Sequence, residues 1–198
     1  MAKRRLNSRQ WRVIKTAVFI SCLIPFLWIG WETINNSLGS DPIQYLHFRT
    51  GEWALRFLLL TLLMSPLQGL FKTSWPLRFR RLLGLFAFFY ASLHLLVWLV
   101  LDQALSLQNM LYDIPESPYI IVGLLAYGLL IPLAVTSTKT MMRRLGAWWP
   151  WLHKLVYLIA LLVVIHFYWL TKLDYQEPTI YAAIFVILMG FRYKKIIS

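Results

Sequence analysis

Six stretches of about twenty predominantly apolar residues recur along this chain, and that recurrence limits its fold more than any other feature. A helix of that length crosses the roughly 30 Å hydrocarbon core of a bilayer, where every backbone amide must find its partner inside the segment. The stretches predict helices over 13–31, 53–71, 82–101, 119–138, 151–170 and 178–193. The expected fold class is all-α: a polytopic membrane protein of six transmembrane helices, forming a single domain over 1–198. Composition agrees, because 59% of the 198 residues are hydrophobic and only 14% are charged. A soluble domain carries roughly 45–50% apolar and about 25% charged residues.

Charge then orients the helices. The segment before the first helix carries Lys3, Arg4, Arg5, Arg9, Arg12 and Lys15. The second connection carries Lys72, Arg78, Arg80 and Arg81, the fourth carries Lys139, Arg143, Arg144 and Lys154, and the tail carries Arg192, Lys194 and Lys195. Only Arg49, Arg56 and Lys172 fall on the opposite side, together with every acidic residue: Glu32, Asp41, Glu52, Asp102, Asp113, Glu116, Asp174 and Glu177. Positive loops stay inside, so both termini are expected in the cytoplasm. The net charge of +12 is thus topogenic. No basic face with exposed aromatic platforms points to nucleic acid. The basic N-terminus leads into an apolar run without a small-residue cleavage site, which reads as a retained first helix rather than a removed signal. Trp11, Trp53, Trp75, Tyr119, Trp148, Trp149, Trp151 and Trp169 cluster near predicted helix ends, as an interfacial aromatic belt does.

The chemistry rests on few polar residues at membrane depth. Cys22 is the single cysteine, which excludes a disulfide within the chain and a thiolate cluster. His94 lies in the third predicted helix, and His153 and His166 lie near the two ends of the fifth. Thirteen residues separate Arg81, at the inner edge, from His94, and thirteen separate His153 from His166. Each interval is about 20 Å of helix. Both helices run outward, so His94 and His166 share a level in the outer half of the membrane. Two neutral imidazoles facing across a gap are the axial set that a haem iron requires. An interhelical hydrogen bond is the bland alternative, and zinc lacks a third ligand at that depth. His153 has no histidine partner, since the matching position on the third helix is Arg81 beside Arg80. Those arginines serve topology, or pair with anions such as haem propionates or a flavin phosphate. Arg56 either snorkels or neutralises a propionate. His47 is read as an ordinary exposed residue of the first outer loop. No glycine-rich nucleotide fingerprint, serine–histidine–acid set or carboxylate pair is present.

Several stretches taken in order resemble one family. They are Pro25-Phe26-Leu27-Trp28, Thr50-Gly51-Glu52-Trp53-Ala54-Leu55-Arg56-Phe57, Arg80-Arg81-Leu82-Leu83-Gly84-Leu85, Ser92-Leu93-His94, Thr136-Ser137-Thr138, Leu152-His153-Lys154-Leu155-Val156-Tyr157 and Arg192-Tyr193-Lys194-Lys195. Over nearly the whole chain the sequence resembles the MsrQ (formerly YedZ) family, haem-containing membrane subunits of a bacterial methionine sulfoxide reductase system with a ferric-reductase-like transmembrane domain. The resemblance implies haem b and FMN as cofactors, with His94, His153 and His166 matching the family's histidines. It implies electrons taken from membrane quinol and passed across the bacterial inner membrane. Their acceptor would be a periplasmic, MsrP-like molybdopterin enzyme that repairs oxidised methionines. The family usually reads His-x-Thr-Gly before its second helix, whereas here His47-Phe48-Arg49-Thr50-Gly51 is one residue longer. Two other readings stand beside this one. One is a stand-alone ferric or quinone reductase of similar architecture. The other is a haem-free transporter or scaffold, for which the repeated halves common among transporters are not evident.

Overall fold

A computed structural model describes residues 7–171 and 175–197. Lys3, Arg4, Arg5, Lys172 and Asp174, used in the charge argument, lie outside the described residues. Within them every regular element is helical. Helix α1 spans Ser8–Ile34, α2 Pro42–Phe71, α3 Leu77–Leu96, α4 Leu107–Glu116 and α5 Pro118–Val135. Helices α6 (Lys139–Leu145), α7 (Trp148–Leu152), α8 (Leu155–Leu170) and α9 (Gln176–Ile197) follow. Five segments are long and apolar enough to cross a membrane: α1, α2, α3 with its extension to Asp102, α5, and α7 running into α8. The protein is therefore a multi-pass membrane protein. Large apolar side chains such as Leu27, Leu70, Leu125 and Val186 stand exposed on its flanks, which suits a lipid-facing surface.

Three elements depart from the apolar-run expectation. Helix α2 begins at Pro42, eleven residues before the predicted start at 53. Asp41 caps it by accepting the Gln44 amide at 3.0 Å, and proline occupies the first turn, where its missing N–H costs nothing. Hydropathy misses this turn because His47, Arg49 and Glu52 interrupt the apolar run without interrupting the helix. The connection after α3 is not a plain loop. It opens as a π-helical turn at Val97–Asp102, then forms α4, capped by Ser106 accepting from the Asn109 amide. The expected inner loop before the fifth span also folds, into α6 and α7. That span breaks at His153–Lys154 instead of running unbroken from 151.

At two of the prolines inside the long helices a side chain from a neighbouring helix joins the backbone ladder. Pro66 cannot donate to the Leu62 carbonyl four residues earlier. The Arg192 guanidinium on α9 donates to that carbonyl and to Ser65 Oγ, each at 3.1 Å, and lies over the Tyr157 ring. Next to Pro25 in α1, the Tyr90 hydroxyl of α3 donates to the Cys22 carbonyl at 2.8 Å. It also accepts from the Phe26 amide at 3.0 Å. Side-chain repair of this kind is what lets proline persist where water is scarce. Tyr90 is fully buried, as are Leu62 and Ile159, and these residues sit in one apolar core. Around that core α3 packs mainly on α2, and α8 mainly on α5, with α9 against α2 and α8. The bundle is thus organised as two tight helix pairs.

Candidate functional site

A cavity of about 750 Å³ lies between the two pairs. His47 and Gly51 of α2, His94 of α3, Gly123 of α5 and His166 of α8 all line it. Apolar walls come from Leu55, Leu58, Ala87, Ala91, Ala126, Leu130, Ile159 and Val163. Asp41, Asp102, Asp113 and Glu177 complete the lining from the ends of elements on the acid-rich side. The Trp98 indole also belongs to this wall, one turn past His94, and its N–H is buried without a partner.

The His94 and His166 rings are neighbours across the cavity, with centroids 6.1 Å apart and planes crossed at 83°. Nδ1 of His94 lies 3.1 Å from the His47 carbonyl oxygen, and Nδ1 of His166 lies 2.6 Å from the Tyr119 carbonyl oxygen. A carbonyl only accepts, so both Nδ1 atoms carry the proton and both Nε2 atoms keep their lone pair. This is the outer-sphere arrangement that orients a metal-binding histidine. Metal–imidazole bonds of about 2 Å put two opposed axial rings about 6 Å apart, centre to centre. The observed spacing therefore fits two axial ligands of one iron, and the cavity offers an apolar slot around them. Among the described residues no cluster of three or more His, Cys, Asp or Glu is placed to hold a metal ion.

The remaining sequence candidates fall elsewhere. His153 follows α7, at the opposite end of α8 from His166, and is absent from the cavity lining. Its Nε2 lies 3.1 Å from Thr136 Oγ1, and its ring rests on Trp149 at 4.1 Å. The Thr136 hydroxyl donates to the Pro132 carbonyl, so His153 Nε2–H is the donor to Thr136. Arg80 is half-buried at the start of α3. Arg81 is exposed there, with its guanidinium 4.0 Å from Met142 Sδ. Arg56 neither snorkels freely nor lines the cavity: it pairs with Glu52, donates to the Tyr181 hydroxyl at 2.9 Å and covers the Trp53 ring.

His47 corrects the sequence reading. It is no exposed loop residue. It sits on α2, half-buried, with its ring 5.4 Å from that of His94. The Asp41-Pro42 helix start carries the signal, since it places His47 and Gly51 one turn apart on a single helix face. Gly51, Gly123 and the Tyr119 carbonyl were also not singled out from sequence.

Two helix pairs with opposed, half-buried imidazoles and a largely apolar slot between them define a helical membrane bundle with a paired-histidine cavity. In keeping with that class, residues 50–164 match the family of the ferric reductase like transmembrane component. Curated relatives narrow it. A protein-methionine-sulfoxide reductase heme-binding subunit MsrQ from Xanthomonas euvesicatoria is 46% identical over 190 residues, covering 93% of this chain and 87% of that protein. The MsrQ subunit of Herminiimonas arsenicoxydans is 44% identical, covering 92% and 85%, and that of Xanthomonas oryzae is 45% identical, covering 94% and 88%. The chain belongs to the MsrQ family.

Proposed function

We propose that this protein is the haem b-binding electron-transfer subunit of a methionine sulfoxide reductase system, with His94 and His166 as the two axial ligands. The observation that carries the proposal is the pair of imidazoles 6.1 Å apart, with crossed planes, whose Nδ1 protons are both committed to backbone carbonyls. The names of the relatives support it. Bound haem would supply one-electron cycling of its iron. The chain's own contribution is to present two neutral Nε2 atoms, hold their rings in place and keep water from the slot with aliphatic walls. A rigid, dry site changes little between oxidation states, which suits electron transfer.

The wider reading places a single domain of six spans in the bacterial inner membrane with both termini cytoplasmic, α9 being the sixth span. Its 22 helical residues and its packing against α2 and α8 support that count. Electrons enter from membrane quinol on or near the cytoplasmic side, pass to the outer level of His94 and His166, and leave to a periplasmic molybdopterin, MsrP-like reductase. His153, at the other end of α8 near Arg80, is the one histidine at the level of a second, incompletely liganded haem site, where Nδ1 would be its free ring nitrogen because Nε2–H is given to Thr136. FMN comes with the family resemblance, and fluorescence of acid-released flavin tests it.

The deciding experiment is a reduced-minus-oxidised spectrum of the purified protein with a pyridine haemochrome assay. A b-type spectrum is expected, and the haem-to-protein ratio separates one site from two. A colourless protein from haem-replete cells would refute the proposal and favour a transporter or scaffold.

A further inference from the structure

The two imidazoles are held by the same device used twice. In α2 the His47 carbonyl accepts from His94 Nδ1, and Gly51 follows one helical turn later. In α5 the Tyr119 carbonyl accepts from His166 Nδ1, and Gly123 follows one turn later. Each histidine lies 47 residues after its carbonyl. A methyl group at Gly51 would meet Cε1 and Nδ1 of His94 at 3.1 Å. One at Gly123 would meet the same two atoms of His166 at 2.9 Å. The contact falls on the same edge of each ring.

Helical geometry explains the pairing. A carbonyl points along the helix toward the amide four residues later, and the side chain there flanks the oxygen's open side. At these two positions a Cβ on that later residue would press on the N–H edge of the ring, so the glycines leave the carbonyls open to the imidazoles. Glycine in a helix interior otherwise weakens it by about 0.5–1 kcal/mol relative to alanine. Gly69 of α2 and Gly128 of α5 show the contrast, because a methyl group at either meets nothing within 4 Å.

We propose that Gly51 and Gly123 are positioning residues of two equivalent ligand cradles, one in each helix pair, which together hold the His94 and His166 planes nearly at right angles. The proposal rests on the haem reading above. Its consequence is electronic. Each axial imidazole donates π density to one iron d orbital perpendicular to its plane. Crossed planes load two orbitals equally, while parallel planes split them. The ferric protein is therefore expected to give a strongly anisotropic low-spin resonance dominated by one large g value, not a rhombic signal. The two cradles differ in two respects. Thr50 Oγ1 adds a 3.5 Å contact to His94 Nδ1, and the α5 cradle is the tighter by both of its distances.

The test is electron paramagnetic resonance and haem content of purified Gly51→Ala and Gly123→Ala proteins, with Gly69→Ala and Gly128→Ala as controls on the same helices. The expected result is a lost or shifted large-g signal in the first two, larger for Gly123→Ala, and wild-type spectra in the controls. Wild-type resonance and haem content in both cradle variants would overturn the proposal while leaving the haem reading intact. A colourless wild type would overturn both. Should Gly51→Ala fail to accumulate, His94→Gly with added imidazole is combined with it. The untethered ring can retreat from the methyl group, so the double variant should accumulate and bind haem as His94→Gly does. Continued failure would show that Gly51 serves general packing and refute the cradle.

Discussion

Replacing Arg192 by alanine should destabilise the protein through the carbonyl that Pro66 leaves open. The guanidinium donates to Leu62 C=O and Ser65 Oγ at 3.1 Å each and covers the Tyr157 ring at 4.7 Å. Hydrogen bonds within membranes are worth about 1–2 kcal/mol, and a cation–π contact adds about 0.5–1 kcal/mol. The expected loss is about 3 kcal/mol. Pro66→Ala restores an amide that can donate to Leu62 within the helix. The double variant should therefore lose about 1–2 kcal/mol less than the sum of the two single changes. The assay is reversible unfolding in mixed micelles, run as a double-mutant cycle. Additivity within about 0.5 kcal/mol would refute the idea that Arg192 stands in for the missing amide.

Other expectations follow from the same contacts. His94→Ala and His166→Ala should each abolish the low-spin haem signal, whereas His47→Ala should keep it, because the acceptor is the His47 backbone carbonyl. Loss of the signal in His47→Ala would place the ring itself among the ligands. Tyr90→Phe removes the hydroxyl bridge between Cys22 and Phe26 and should cost about 1–3 kcal/mol in unfolding without moving the haem bands. If the proposed periplasmic reductase is the partner, neutralising Asp113, Glu116, Asp174 and Glu177 should slow electron delivery to it at low salt and matter little at high salt. Equal rates at low salt would count against docking through the acidic face.

Much of the architecture was legible in the chain because it is written in local sums. The apolar runs anticipate the centres of α1, α2, α3, α5, α8 and α9, since hydrophobic length and membrane thickness are compared one segment at a time. The 13-residue intervals from Arg81 and His153 correctly anticipate that His94 and His166 meet, because helical rise converts sequence spacing into depth. Where polar residues interrupted a run, as at His47, Arg49 and Glu52, the same reasoning started α2 too late in the chain. The capping signal at Asp41-Pro42 was outweighed there by hydropathy.

By itself, then, the sequence determined that the chain is a helical membrane protein and which two histidines come together. Tertiary structure alone decided the rest. It paired α2 with α3 and α5 with α8, made Gly51 and Gly123 the floor beneath two imidazoles, and sent Arg192 to a carbonyl 130 residues away. The physical reason is range. Hydrophobicity and helical rise accumulate along neighbouring residues. A hydrogen bond or a 3 Å clearance depends on which atoms of distant helices are brought face to face, and no local sum contains that.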